Sequence, residues 1–302
     1  MQVRKEHISV CICTYKRPEM LKKLLTNIVC QNTDKSFSYS IVVVDNDGAQ
    51  SAKNVIESIK KTTNIEIAYH CEPEQNISLA RNMTVRNATG NYIAFIDDDE
   101  CPDNHWLLTL YKACNELDAD GIQGPVIPVY EEGTPEWVVK GKFYVRDDYA
   151  RGHILKWREG MTGNLLFRHA LVESEQEPFR REYGSGGEDK DFFKRMINKG
   201  YIFKYCPEAI VYEHIPITRC NRLFMLKRAL LRGKMAAVDS SFYDVGTLIS
   251  IVAIIIYTVM LPILSILGHH LFMKYLIKVF DHFGKLLALS HVNVIKEKYV
   301  IE

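Results

Sequence analysis

Along most of the chain, short apolar runs alternate with helical patterns. Residues 8–15, ISVCICTY, are β-branched and apolar and end at Lys16-Arg17-Pro18. This predicts a buried strand running into a loop, with a helix starting near Pro18. Met20, Leu21, Leu24, Leu25 and Ile28 then recur at helical spacing. Residues 41–45, IVVVD, form a second buried strand, turned by Asn46-Asp47-Gly48. A helix over about 50–60, a short strand at 65–69, a helix over 76–88 and a strand at 92–96 (YIAFI) follow. Asp97-Asp98-Asp99 ends that strand, and Pro102–Leu117 suits a further helix. Strands that are apolar throughout are buried on both faces. The pattern therefore predicts an α/β fold, with a mainly parallel sheet and helices on both faces.

Region 120–218 is less regular. It opens rich in Pro and Gly and continues with Trp137, Phe143, Tyr144, Tyr149 and Trp157. Thr162-Gly163-Asn164 precedes LLF, and Gly184-Ser185-Gly186-Gly187 leads into Glu188-Asp189 and a helix to about 199. Short strands are expected at 201–205 and 209–212. Residues 219–234 then hold six basic residues and no acid. From Val245 to Leu267, 23 residues pass without Asp, Glu, Lys, Arg or His, long enough for a helix to cross a bilayer core. Pro262 is expected to kink or break that helix near its end. Residues 271–289 mix apolar residues with Lys274, Lys278 and Lys285, which suits an interfacial helix. The expected division is a catalytic domain over 1–218 and a membrane-associated part over 219–302. Lysines flank both sides of the apolar run, so charge does not choose between one full span and a re-entrant hairpin; we expect a hairpin or shallow insertion.

Composition narrows the classes. The chain has 302 residues, 47% hydrophobic and 25% charged, which is globular. Lys+Arg total 38 against 37 Asp+Glu, a balance that argues against a nucleic-acid binder. None of the eight cysteines forms a C-x-x-C pair or a zinc spacing. Cys11 and Cys13 read as small core residues on one face of a strand, and the thiols as free in a reducing cytosol.

In a parallel sheet, ligands sit at the carboxyl ends of the strands. Thr14–Arg17, Asp45–Gly48 and Asp97–Asp99 all fall there. On an extended chain Asp97 and Asp99 share a face, and two close carboxylates repel unless a cation joins them. Oxygen ligands in an open site suit Mg²⁺ or Mn²⁺; the bland alternative is a solvated acidic turn. Asp45-Asn46 can accept from a pyrimidine base or bond their own backbone in an Asx-turn. Arg81 suits a diphosphate or is merely solvated. Asp189 is either a general base held near an acceptor hydroxyl or an ordinary acid at a helix start. His214 is a third metal ligand or a structural histidine.

Taken together, ISVCICTYKRP, IVVVDNDG, NISLARN…ATGNYIAFIDDDE, TGNLLF, GGEDKDFFKR and YEHIPITRCNRLFMLKRALLRG resemble a family 2 glycosyltransferase of the GT-A fold, in the branch that builds bacterial exopolysaccharides such as succinoglycan. The resemblance covers about residues 7–235. It implies donor-binding roles for Thr14, Tyr15, Arg17 and Asp98. It further implies that Asp99 is a direct metal ligand, that Asp97 contacts the ribose or donor sugar, and that Asp45 with Asn46 meets the base. Arg81 would face the nucleotide, Asp189 would be the catalytic base with Glu188 beside it, and His214 would contact metal or pyrophosphate. Many members carry Asp-Asp where this chain has Asp45-Asn46, and the closing motif offers both Glu213 and His214. The implied reaction is an inverting transfer from a nucleotide diphosphate sugar to a glycan hydroxyl. The anchor expected over 245–267 would hold the site at the cytoplasmic face of the inner membrane, where a lipid-linked glycan is the natural acceptor. A sugar nucleotidyltransferase would use a Gly-rich phosphate loop, and CTYKRPEM has no glycine. The other alternative is an inactive membrane-bound sugar-nucleotide-binding protein, which would bind without turnover.

Overall fold

The computed structural model describes residues 6–292. They group into two compact units. The first holds the chain up to Pro128, Arg146–Gly184 and Glu188–His214. The second holds Val129–Val145, Ser185–Gly187 and the chain from Ile215 on.

In the first unit, β1 (Glu6–Thr14), α1 (Pro18–Ile28), β2 (Phe37–Asp45), α2 (Lys53–Lys60), β3 (Ile67–Cys71), α3 (Ile77–Asn87) and β4 (Tyr92–Phe95) follow the expected alternation. Then come β5 (Glu100–Pro102), α4 (Trp106–Glu116), β6 (Gly121–Gln123) and β7 (Val126–Tyr130). Beyond α5 (Glu136–Lys140) lie β8 (Leu165–Arg168), α6 (Glu188–Asn198), β9 (Phe203–Tyr205) and β10 (Val211–Ile215). The main sheet has the order β3-β2-β1-β4-β8-β6-β9. Its pairs are parallel except those of β8, which runs antiparallel to both β4 and β6. A smaller sheet has the order β5-β10-β7.

Both faces of the main sheet are covered. Ile8, Val10 and Ile12 of β1 pack in one core with Leu21, Leu24 and Leu25 of α1, Ile56 of α2 and Trp106 of α4. Cys11, one position out of step, lies in the other core with Val85 of α3 and Phe192, Phe193 and Met196 of α6. This is the period-2 alternation of a strand buried twice. Pro102 begins no helix. It ends β5, and α4 starts four residues later, because Glu100–Pro102 pairs antiparallel with Val211–Glu213.

The second unit contains α5, α7 (Arg222–Ala236), α8 (Val245–Leu267) and α9 (His269–Leu289). Val138, Tyr144, Ile215, Cys220 and Met225 form its small core, and the Tyr144 hydroxyl donates to the Arg219 carbonyl at 2.7 Å. These contacts group Val129–Val145 with the C-terminal helices. Asn221 caps α7 by accepting from the Phe224 N–H (2.8 Å), and Asp244 caps α8 by accepting from the Thr247 N–H (2.5 Å). The helix α8 continues through Pro262 to Leu267.

Candidate active site

Three strand ends meet at one edge of the sheet. Thr14 closes β1 opposite Asp45 of β2, and the Asn46 N–H donates to the Thr14 carbonyl (2.8 Å). The chain leaving β4 carries the aspartates over this edge. The Thr14 hydroxyl donates to Asp98 Oδ2 (2.7 Å), and Arg17 pairs with Asp98 (3.2 Å) and Asp99 (3.3 Å). Lys16 takes φ 55°, a reversal just before Arg17 and the start of α1. Tyr15 is half-buried, with the Lys16 ammonium 5.2 Å from its ring centre. Asp98 is buried, and this pushes its carboxyl up to about 6 against the pull of Arg17. It acts as an internal latch between β1 and the aspartate turn.

Asp97 is the open carboxylate. Its side chain is 42% exposed, against 8% for Asp99. Two residues, Glu100 and Arg81, hold it from within. Its N–H donates to Glu100 Oε2 (3.0 Å), while the Glu100 N–H donates to the Asp97 carbonyl (3.1 Å). Its Oδ1 also lies 3.3 Å from Arg81 Nη2. Arg81 is buried, not solvated, with its guanidinium 5.5 Å from the Phe95 ring and 5.9 Å from Phe179. Its Nε sits 3.3 Å from Glu188 Oε1. One guanidinium thus bridges the aspartate turn and the first turn of α6. Burial works against its charge, but Glu188 and Asp97 hold its pKa above the ordinary arginine value. Burial pushes Glu188 up to about 7, opposed by Arg81 and reinforced by the charge of Asp189. Asp189 itself is half-buried, one residue further along α6.

Asparagines fix α6 relative to this edge. Asn46 Oδ1 accepts from the Asn76 N–H (2.9 Å), and its Nδ2 donates to the carbonyls of Glu72 (2.9 Å) and Glu74 (2.6 Å). Asn76 caps α3 and donates to the Arg181 carbonyl (3.1 Å), on the loop that leads to α6. Asn82 makes a reciprocal pair with the Phe179 backbone (2.7 and 2.9 Å). The Asp45 carboxylate is taken up by the Asp47 N–H (3.0 Å), the Ala52 N–H (2.8 Å) and the Tyr69 hydroxyl (3.1 Å), the Asx-turn arrangement. His214 N–H donates to the Asp99 carbonyl (3.0 Å), so the backbone brings the two together, while the imidazole lies on the exposed face of β10.

Glu100, Arg146, Gly163 and Asn164, not singled out as site residues, complete the geometry. Glu100 and Glu213 stand directly opposite on antiparallel strands, and Arg146 pairs with Glu213 at 2.8 Å. Burial and the charge of Asp97 raise Glu100 well above the usual carboxylate range, against the pull of Arg146. Its buried Oε1 has no hydrogen-bond partner among the described residues. That oxygen faces Gly163, where a Cβ would come within 2.6 Å of it and 3.1 Å of Asp97 Oδ2. Next to Gly163, Asn164 accepts from Trp106 Nε1 (2.7 Å) and donates to the carbonyls of Pro125 (2.8 Å) and Ala209 (2.6 Å). The triplet Thr162-Gly163-Asn164 signalled this hub in the sequence, and Glu100 extends the aspartate run. Nothing in the sequence pattern marks Arg146.

Among the described residues, no three His, Cys, Asp or Glu side chains converge as a ready-made metal cage. A small hard dication needs only one or two carboxylates when substrate phosphates supply the remaining oxygens. Asp97 and Asp99 offer that all-oxygen pair on one turn, so the residues fit Mg²⁺ or Mn²⁺.

Comparison with known proteins gives the family and the fold. The sequence matches Glycosyl transferase family 2 over residues 9–173 and Glycosyl transferase family group 2 over residues 92–280. It is 35% identical to succinoglycan biosynthesis protein ExoM of Rhizobium meliloti, covering 76% of this chain and 73% of that protein. The fold is similar to S. aureus TarS 1–349 in complex with UDP (TM-score 0.53, 15% identity, 94% of this chain and 90% of that one). Against a longer TarS chain, the match spans 55% of that chain. It is also similar to the mannosyltransferase PcManGT of Pyrobaculum calidifontis in complex with GDP-Man and Mn²⁺ (TM-score 0.56, 17% identity, 95% and 73%). The parallel strands, the aspartate turn at their carboxyl ends and these matches give one conclusion: the chain is a member of glycosyl transferase family 2, with the GT-A fold.

Proposed function

We propose that this glycosyltransferase moves a sugar from a nucleotide diphosphate sugar to a glycan hydroxyl in a single inverting displacement, in the synthesis of a surface polysaccharide. The observation that carries the reading is the Arg81 bridge. It ties Asp97, at the donor edge of the sheet, to Glu188, beside Asp189. The donor-edge carboxylate and the residue beside the candidate base thereby share one buried guanidinium. Thr14 and Arg17 hold the aspartate turn in place, and Asp45 and Asn46 shape the neighbouring turn where the base would lie. Asp189 accepts the proton of the attacking hydroxyl, and buried Glu188 orients the start of α6 through Arg81. Arg81 acts from inside, as a positioning residue for both carboxylates. Asp97 and Asp99 would hold a divalent cation, with His214 joined to Asp99 through its backbone; such an ion, when bound, would supply Lewis-acid neutralisation of the leaving diphosphate. The similarity to structures solved with UDP and with GDP-Man and Mn²⁺ supports a nucleotide-sugar donor and a cation.

We assign the C-terminal helices to the cytosolic surface of the cell membrane, where a lipid-linked glycan is the acceptor. The apolar length of α8 and the basic α7 support this. The test is a panel of nucleotide sugars scored for hydrolysis and transfer by the full chain. Transfer with inverted anomeric configuration supports the proposal. Binding without turnover supports the inactive alternative.

A further inference from the structure

The second unit carries a feature that decides how a membrane would be met. The covered positions of α8, among them Thr247, Ser250, Tyr257 and Leu264, recur at helical spacing on one side. The rest of the circumference is apolar and open along the whole helix, with Leu248 at 61%, Val259 at 70% and Ile266 at 86% exposure. The covering element is α9. It folds back after Gly268, and its contacts with α8 run antiparallel. The Tyr257 and Tyr275 rings lie 5.3 Å apart, His282 Nδ1 meets the Ser250 hydroxyl at 3.1 Å, and Lys285 lies 3.6 Å from Asp244.

This return helix is charged along its length. Lys274, Lys278, Asp281 and Lys285 recur every three or four residues. The Lys278 ammonium sits 5.6 and 5.0 Å from the rings of Tyr257 and Tyr275, and Asp281 pairs with Arg232 of α7 at 3.0 Å. Helices α7 and α9 touch backbone to backbone. A Cβ at Gly233 would lie 2.0 Å from the Asp281 carbonyl oxygen, and one at Gly284 2.4 Å from that of Leu230. Helix α9 is therefore fixed to α7 as well as to α8.

Were α8 to cross a bilayer, it would carry α9 with it. At about 1.5 Å per residue, Lys278 would then lie roughly 15 Å from the turn, in the middle of a hydrocarbon core about 30 Å thick. His269 and His270 at the turn would have to cross entirely. Intramembrane charges are costly and rare. We infer that α8 lies along the membrane within one leaflet, its open apolar face in the acyl region and the charged α9 and α7 at the level of anionic headgroups. This rests on the membrane attachment assigned above and specifies its form. It commits the open face to lipid, since the basic residues of α7 and α9 match an anionic headgroup layer.

The test uses the full chain, because removing α8 and α9 would strip α7 of its packing. Flotation with phosphatidylcholine vesicles is compared with vesicles containing phosphatidylglycerol. Separately, cells expressing Ser265→Cys are treated from outside with an impermeant maleimide, and the peptide carrying position 265 is read by mass spectrometry. We expect flotation that strengthens about five-fold for each basic residue engaged by anionic lipid. We also expect at least a ten-fold loss in the double variant Ile255→Lys, Val259→Lys with unchanged thermal unfolding, and no labelling at position 265 in intact cells. If that double variant fails to fold, the labelling result decides alone. Labelling at 265 from outside, or wild-type flotation by the folded double variant, overturns the single-leaflet arrangement while leaving attachment intact. Wild-type protein that does not float with either vesicle overturns attachment itself.

Discussion

Asn46 stands where many family members carry a second aspartate, and its contacts explain the amide. Its Nδ2 donates to two backbone carbonyls at once, which a carboxylate cannot do. Asn46→Asp is expected to leave both carbonyls facing a like-charged oxygen and to cost about 2–3 kcal/mol, the scale of buried groups left unsatisfied. Chemical denaturation measures it; an unchanged midpoint would remove the linking role. At Asp189, Asn substitution is expected to lower turnover by about 10²-fold or more, the scale of general-base loss, while donor affinity measured by calorimetry stays within a few-fold. A collapse of donor affinity would instead make Asp189 a binding residue. Gly163 is constrained differently. Gly163→Ala forces a methyl group against Glu100 and Asp97, so activity should fall with Asp97 displaced even though the added group is apolar.

At the scale of elements, α3 is the piece that joins the two halves of the site. Its cap Asn76 holds the loop ahead of α6, Asn82 clamps Phe179, and Arg81 reaches both Asp97 and Glu188. Arg81→Lys keeps a charge but loses the fork that spans two carboxylates. The expected result is a fall in kcat larger than the change in KM for the donor, read by steady-state kinetics. Equal effects on both constants would indicate a direct donor contact. The central strands were legible here from the apolar runs, because β1, β2 and β4 are buried on both faces, as was the helix over 76–88 from its spacing. The short strands β5, β6, β7 and β8 were not. Three to five residues carry too little periodicity, and β5 exists because Val211–Glu213 pairs with it.

For the whole molecule, two linkages can be measured. Glu188 keeps its proton in the folded state up to about 7, whereas the ordinary glutamate value is 4.5. Between those values the folded state binds more protons than the unfolded one, so this group's stabilising contribution is complete below about 4.5 and is lost as pH rises through 7. Glu188→Gln should flatten that part of the stability profile, with Arg81, Asp97 and Asp189 remaining as the charged neighbours. An unaltered slope between pH 4.5 and 7 would show that Glu188 is not the group titrating. The second linkage is to a cation. Excess chelator is expected to abolish transfer, with Mn²⁺ or Mg²⁺ restoring it, and Asp97→Ala should remove most activity with the fold retained by circular dichroism. Full activity in chelator would sink the metal assignment.

Periodicity and composition by themselves determined the α/β alternation, the strand ends at which the candidate site lies, and the apolar run long enough for a bilayer. Each of those depends on neighbours along the chain, where strand alternation, helical spacing and uninterrupted apolar length are written directly. Tertiary structure decided the rest, because it depends on residues far apart in sequence. Arg81 became an inner bridge only because the first turn of α6, far along the chain, meets α3 beside the turn that follows β4. Glu100 and Arg146 entered the site through strand register and a loop, neither of which leaves a local pattern. Flanking lysines did not choose between a span and a hairpin for the apolar run. The fold-back of α9, with its charges paired to α7 and to the cap of α8, is visible only in the tertiary structure, and the single-leaflet proposal rests on it.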